Sequence, residues 1–99
     1  MAPEKIIVQI TDEDIVDIIP GYLENRQKDL ETLTQAPNDF ETVRSLGHKM
    51  KGSGGGYGLD RISEIGKALE EAAKAQDLDA IQSGIAALQD FLERVEIVS

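Results

Sequence analysis

Apolar residues recur every three or four positions along most of the chain, which is the spacing of helices with one buried face. Thr11 followed by Asp14 predicts a capped start for a short helix that runs through Ile19. Pro20 suits the first turn of a second helix, which ends before Pro37. The core-facing positions of this second helix are Tyr22, Leu23, Leu30 and Leu33.

Three further helices are predicted downstream by the same spacing and by the turn residues between them. Asn38 with Glu41 predicts a capped start for the third helix, and Gly58 followed by Asp60 marks a stop and a restart. A final helix follows Asp77. The apolar positions of the last two helices are Ile62, Ile65, Leu69 and Ala72, then Leu78, Ile81, Ile85, Leu88, Leu92 and Val95.

These elements predict an all-α fold, an antiparallel four-helix bundle with a short extra N-terminal helix. The 99 residues make a single domain, with the helical bundle over about residues 11–97. Residues 1–10 form either a tail or a short extended edge segment, because the run from Lys5 to Ile10 is rich in Ile and Val.

The third helix carries the only histidine of the chain, His48, on the side opposite its apolar residues. An imidazole at that position is exposed and is not part of the core. Without further signals, an exposed histidine is most simply an idle surface residue. The apolar side consists of Phe40, Val43, Leu46, Gly47, Met50, Gly54 and Tyr57.

The chain is strongly acidic, with a formal net charge of -9, so nucleic acid and anionic membranes are poor partners and a protein partner is favoured. The acidity is uneven, because residues 44–67 carry five basic and two acidic side chains. A basic region therefore surrounds His48, although charges scattered on exposed helix faces can produce such a difference by chance. The basic residues are Arg44, Lys49, Lys51, Arg61 and Lys67, and the acidic ones are Asp60 and Glu64.

Composition excludes several kinds of site. The absence of cysteine excludes disulfide, thiolate and cysteine-based zinc chemistry, and a single histidine excludes a multi-histidine metal site.

The first ten residues show no small-residue cleavage site, so we expect no signal peptide. No uninterrupted apolar stretch approaches the roughly 20 residues that span a bilayer. We therefore expect a cytoplasmic protein.

The surroundings of His48 on its helix combine two cations with small residues. An exposed imidazole has a pKa of about 6.5, so at neutral pH much of it is unprotonated and can attack phosphorus. Adjacent cations can hold the transferred oxygens, and glycines let another protein's backbone come close. The pattern predicts a phosphoryl-transfer site, with His48 as acceptor and Lys51 as stabiliser of the phosphoryl group. The predicted docking surface around them consists of Arg44, Ser45, Gly52 and Gly55.

Residues 52–58 contain five glycines, each of which weakens a helix interior by about 1 kcal/mol relative to alanine. One interpretation is that the helix ends near Ser53 and a flexible loop follows. A nucleotide phosphate loop is a weak alternative, because the run lacks the Gly-Lys-Ser/Thr ending of such loops. We favour a helix that continues to about Tyr57, because Gly54 and Tyr57 keep the apolar period.

The run HKMKGSGGGYG, residues 48–58, resembles the signature of histidine-containing phosphotransfer (HPt) domains. That signature has a histidine, a lysine three positions later, a glycine and a small residue next, and a glycine that closes the helix. The flanking segments IIPGYLENRQKDLETL and LDRISEIGKALEEAAK are similar to the family's neighbouring helices, so the resemblance extends from about Asp12 to Leu92. The triple glycine at 54–56 is heavier than the family usually carries. The matching residues are His48, Lys51, Gly52, Ser53 and Gly58.

The resemblance implies a four-helix bundle whose exposed histidine carries a phosphoryl group from the aspartyl phosphate of one receiver domain to the aspartate of another. The implied partners are a response-regulator receiver domain, a histidine kinase, or both. The resemblance also implies no cofactor, nucleotide or metal site in the carrier, since Mg²⁺ resides on the receiver, and no autonomous enzymatic activity. We expect a monomer, because no helix shows a second apolar face.

Three alternatives remain open from the sequence. The P1 domain of chemotaxis-type kinases shares the histidine pattern but is phosphorylated by an ATP-bound kinase domain. A helical interaction module that no longer uses its histidine is a second alternative. A hydrolase with Ser45 or Ser53 beside His48 is remote, because an exposed helix has no pocket that excludes water.

Overall fold

The computed structural model describes residues 4–98 and consists mostly of four α-helices, which confirms the predicted helical fold class. Residues 1–3 of the predicted N-terminal segment and Ser99 lie outside the described part. None of the helices formed by residues 4–98 combines the length and the apolar character that crossing a membrane requires. In chain order the elements are strand β1 (Ile6–Gln9), helix α1 (Glu13–Gln35), helix α2 (Phe40–Ser53), a 3-10 turn (Gly55–Tyr57), helix α3 (Asp60–Lys74), helix α4 (Leu78–Arg94) and strand β2 (Val95–Val98).

Helix α1 is one continuous helix of 23 residues, so the prediction of a separate short N-terminal helix is wrong. Its capping residue is Asp12 and not Thr11, because the Asp12 carboxylate accepts a hydrogen bond from the backbone N–H of Asp14 (3.0 Å). Pro20 lies inside the helix, where it cannot donate the usual hydrogen bond to the carbonyl four residues earlier. The helix persists because Ile19 and Tyr22, on either side of this gap, are both buried against the core.

Helix α2, which carries His48, begins one residue later than predicted. Its capping residue is Asp39, whereas the sequence suggested Asn38 with Glu41. The Asp39 carboxylate accepts hydrogen bonds from the backbone N–H of Thr42 (3.2 Å) and from the Thr42 hydroxyl (2.9 Å). The first of these bonds satisfies a free backbone N–H group of the first helical turn, and the second holds the Asp39 carboxylate in place.

The glycine-rich segment ends α2 at Ser53 and then forms a 3-10 turn, so the prediction of an α-helix that continues to Tyr57 is wrong. Gly54 is buried against the start of α3, where a Cβ would lie 2.6 Å from the backbone N of Ser63. Gly58 ends the turn in the left-handed conformation, with φ of 75°. Glycine is therefore needed at these two positions for a close approach and for a reversal of the backbone.

Helices α3 and α4 follow the predicted pattern most closely. Helix α3 begins at Asp60, after the Gly58 stop, and α4 begins after Asp77. The Asp77 carboxylate accepts a hydrogen bond from the backbone N–H of Ala80 (3.1 Å), which caps α4. The largest fully buried side chains join all four helices in one core: Phe91, Ile19, Leu33, Met50, Leu59, Ile62, Leu69, Ile81, Leu88 and Val43.

Helices α2 and α3 pack tightly and run in opposite directions, since Gly54 approaches Ser63 whereas Gly47 approaches Glu70. This pair carries the candidate site. The antiparallel arrangement of all four helices stays a prediction.

Strands β1 and β2 form a two-stranded parallel sheet in the register Ile6 to Val95 through Gln9 to Val98. Within the Ile- and Val-rich N-terminal run, the chain is therefore extended at Ile6–Gln9. The prediction that the last helix includes Val95 and reaches about residue 97 is wrong. Three of the four residues of β2 are β-branched, which favours an extended backbone once β1 supplies a hydrogen-bonding partner.

Candidate functional site

His48 lies in the second half of α2 with 69% of its side chain exposed, so the prediction of an exposed imidazole is confirmed. The imidazole is nevertheless held by the neighbouring helix. Its Nδ1 atom lies 2.7 Å from the Oε2 atom of Glu70 on α3. A single strong hydrogen bond therefore orients a ring that otherwise faces solvent.

Glu70 is the buried member of the site, with 6% of its side chain exposed. Its second oxygen, Oε1, accepts a hydrogen bond from the Lys51 ammonium at 3.2 Å. One carboxylate thus contacts both His48 and Lys51, the two residues to which the sequence assigned the chemistry. Both carboxylate oxygens have a hydrogen-bonding partner, as a buried charge requires.

The Glu70 carboxyl is under opposing influences. Burial is the largest single influence and raises its pKa, whereas the hydrogen bonds with His48 and Lys51 lower it. The positive charges of Lys51 and Lys74 act in the same direction, so the pKa of Glu70 lies below its ordinary value. The carboxyl is therefore ionised at neutral pH.

The charge state of Glu70 determines which nitrogen of neutral His48 carries the proton. An ionised carboxylate only accepts hydrogen bonds, so the Nδ1 atom of His48 must be the donor. In a neutral imidazole the other nitrogen, Nε2, then holds the free lone pair. The arrangement provides an exposed, oriented nitrogen nucleophile.

Sequence reasoning missed Glu70, which becomes a partner of His48 only when α3 packs on α2. A signal was nevertheless present in the sequence. On α3, Glu70 lies one turn after Gly66 and one turn before Ala73, both of which are buried. A glutamate within the buried stripe of a helix needs a partner from elsewhere in the fold.

The other predicted site residues are distributed around His48 as follows. Lys51 is half exposed, with 49% of its side chain accessible, and it meets His48 only through Glu70. Arg44, Ser45 and Gly52 are exposed on α2. Gly55 lies in the 3-10 turn, where its backbone N–H donates to the Ser63 hydroxyl at 2.8 Å.

The surface next to the His48 helix is open at the glycines. A Cβ on Gly52 would find no heavy atom within 4 Å, and the same holds for Gly56. These two glycines are therefore not required by packing within residues 4–98. Their small size leaves room for another molecule beside Lys51 and the 3-10 turn.

Ser53, one of the two serines of the hydrolase alternative, already has a hydrogen-bonding partner in the fold. The Ser53 hydroxyl lies 2.7 Å from the Tyr22 hydroxyl, and this hydrogen bond joins α1 to the end of α2. The Nδ1 atom of His48 is directed to the carboxylate of Glu70, on another helix, and not to a serine. Within residues 4–98 there is also no cluster of three or more His, Asp or Glu side chains that could hold a metal ion.

Comparison with known families agrees with the resemblance of the His48 motif. A sequence model of the Hpt domain matches residues 17–97, which contain the whole site and most of the four helices. No curated protein and no solved structure was matched. Hpt domains act with receiver domains and histidine kinases in two-component systems. The chain belongs to the Hpt domain family, which supports a histidine phosphotransfer role in a phosphorelay.

Proposed function

We propose that this protein is a phosphorelay carrier that receives a phosphoryl group on His48 from the aspartyl phosphate of one receiver domain and passes it to another receiver. The observation that carries the proposal is the 2.7 Å hydrogen bond between Nδ1 of His48 and Glu70. It leaves Nε2 as the free nitrogen of an exposed ring. The protein acts as a phosphorylated intermediate and not as an autonomous enzyme.

In the transfer step, the Nε2 lone pair of His48 attacks phosphorus while the bond from phosphorus to the aspartate oxygen breaks. The receiver's aspartate leaves as a carboxylate, and no proton has to be removed from Nε2. The imidazole ring gains positive charge, which the Glu70 carboxylate offsets through the Nδ1 proton, as the orienting carboxylate of a catalytic triad does. Transfer to the second receiver is the same step in reverse.

Lys51 supplies positive charge for the phosphoryl oxygens. Its ammonium is half exposed and lies at the edge of the site, 3.2 Å from Glu70, within one helical turn of His48. A lysine side chain is long and flexible enough to turn from the carboxylate to an incoming phosphoryl group. Arg44 and Lys74 add positive charge on the same pair of helices.

The open surface at Gly52 is the proposed contact area for the receiver, together with Arg44, Ser45 and Gly55. The active-site aspartate of a receiver must come within bonding distance of His48, so its surrounding loops have to approach the α2 backbone. The space at Gly52 permits that approach. The expected monomeric state, the antiparallel bundle and the cytoplasmic location belong to the same proposal.

The test is transfer from a panel of receiver domains carrying labelled aspartyl phosphate. Acid-labile, base-stable label on the wild-type chain, and none on His48→Gln, is the expected result. Label only in the presence of ATP and a kinase domain would identify the P1-type alternative. Binding of receivers without label would identify an interaction module that no longer transfers phosphate.

A further inference from the structure

Helices α2 and α3 are in direct backbone contact at two glycines, Gly47 and Gly66. A Cβ on Gly47 would lie 2.7 Å from the backbone N of Glu70 and 2.7 Å from the backbone O of Gly66. A Cβ on Gly66 would overlap the backbone N of Lys51 and lie 2.6 Å from the backbone O of Gly47. Neither glycine has a positive φ, so their role is the close approach itself.

This contact lies at the residues that form the site. The two backbone nitrogens that a Cβ would strike belong to Glu70 and Lys51, and Gly47 directly precedes His48. Glu70 reaches across from α3 and uses both oxygens, at 2.7 Å to His48 and 3.2 Å to Lys51. The longer of these distances is already at the upper end of the range of good hydrogen bonds. A substantial increase in the distance between the two helices would therefore break the network.

We infer that Gly47 and Gly66 are positioning residues, whose missing side chains set the helix separation at which Glu70 holds the Nδ1 proton of His48. This inference rests on the proposed role of His48 as the nucleophile. A methyl group at either glycine forces α2 and α3 apart, because the blocking atoms are backbone atoms and cannot rotate away. Glu70 then no longer accepts the hydrogen bond from Nδ1. The ring proton can reside on either nitrogen, so the free lone pair is no longer confined to Nε2.

The tautomer of His48 is directly measurable, because the chain contains a single histidine. Ring ¹⁵N chemical shifts of the full chain should show the Nδ1–H tautomer in the wild type and a mixture of tautomers in Gly47→Ala and Gly66→Ala. Phosphorylation by phosphoramidate, a small donor that needs no docking, should fall in both variants by about tenfold, by analogy with the lower end of the loss seen when a metal-ligating histidine loses its orienting partner.

Gly84→Ala is the matched control. Gly84 is a buried glycine of α4, where a Cβ would lie 2.6 Å from the Leu69 side chain, so this variant disturbs the packing of α4 on α3 without placing an atom between the backbones of α2 and α3. It should lower the melting temperature and keep the wild-type tautomer, because the atoms it displaces are the far end of the Leu69 side chain and not backbone atoms of α2 or α3. Loss of the tautomer in Gly84→Ala as well would show that general loosening is responsible, and would overturn the inference.

Glu70→Asp tests the same reach without touching the glycine contact, in case the alanine variants fail to fold. The shorter side chain withdraws the carboxylate by one methylene, so the Nδ1–H tautomer should be lost. Retention of that tautomer in Glu70→Asp, or in a folded Gly47→Ala protein, would show that the hydrogen bond between Glu70 and His48 tolerates a different distance between the helices. The glycines would then not position the site. A wild-type chain with the Nδ1–H tautomer that accepts no phosphate from any receiver would refute the proposed function and leave this inference standing.

Discussion

Replacement of Gly52 by Gln should raise stability and lower transfer at the same time. Gly52 is the next-to-last residue of α2, it is exposed, and a Cβ at this position meets nothing within 4 Å. The fold therefore gains from a better helix former without any steric cost. A partner that docks on this surface meets a new side chain one turn beyond His48.

The size of the stability gain follows from the position in the helix. Glycine costs about 1 kcal/mol relative to a good helix former in a helix interior, and near a helix end we expect about half of that. A gain of about 0.5 kcal/mol corresponds to a rise of roughly 2–4 °C in the melting temperature of a domain of this size. Gly21 provides the matched control, because it is exposed inside α1 and also has no heavy atom within 4 Å of a Cβ.

The assay compares two phosphoryl donors on the wild type, Gly52→Gln and Gly21→Gln. A loss of about 1.4 kcal/mol in docking free energy lowers transfer from a receiver tenfold, and we expect at least this loss for Gly52→Gln. Phosphorylation by phosphoramidate should be unchanged, since a small donor does not use the docking surface. Gly21→Gln should stabilise the fold by up to about 1 kcal/mol and transfer at the wild-type rate.

Wild-type transfer from the receiver in a fully folded Gly52→Gln protein would refute the reasoning, because the receiver would then dock elsewhere. A fall in phosphoramidate labelling as well would locate the defect in the chemistry of His48 and not in docking. Equal losses in Gly21→Gln and Gly52→Gln would show that the effect does not belong to this surface.

Three further predictions concern the site itself. In His48→Gln the amide can still donate a hydrogen bond to Glu70, so the free energy of unfolding, measured by denaturant titration, should change by no more than about 0.5 kcal/mol. All phosphoryl label should be lost. Label on this variant would assign the acceptor to another residue. Lys51→Ala removes a cation from the phosphoryl group, and the measured transfer rate or phosphohistidine lifetime should fall; unchanged values would make Lys51 a solvated surface residue. Because the pKa of Glu70 is lowered in the folded state, its stabilising effect is present above its ordinary value of 4.5 and is lost as the pH falls below it. Acid titration of unfolding free energy should therefore be flatter in Glu70→Gln, and an unchanged slope would show that Glu70 is not a source of the acid sensitivity.

Much of the helical architecture could be predicted because its signals are local. The stop at Gly58, the cap at Asp77 and the exposure of His48 all depend on residues within a turn or two of one another. Pro20 misled the prediction for the opposite reason. Its local preference favours a helix start, but burial of Ile19 and Tyr22 on one face of α1 outweighs the lost hydrogen bond.

The features that could not be predicted depend on contacts between distant parts of the chain. The strand β2 has its hydrogen-bonding partner, β1, at the other end of the sequence. Without knowledge of that partner, the apolar residues of β2 fit the helical spacing of α4. Glu70 is separated from His48 by 22 residues, and only the packing of α3 on α2 brings them together. Helical spacing identifies neighbours on one helix but does not give the register between two helices.

The placement of Glu70 also gives a reason for a cation beside His48 in the proposed transfer. An ionised carboxylate 2.7 Å from the accepting ring would repel an incoming phosphoryl group if it were unpaired. In the unphosphorylated site Lys51 balances that charge directly, and Lys74 contributes to the same potential. In the proposed transfer step Lys51 turns to the phosphoryl oxygens, and the positive charge that develops on the imidazole replaces the ammonium beside Glu70. Under this proposal the carboxylate is paired before and after transfer, which allows one buried charge to orient the nucleophile without opposing the reaction.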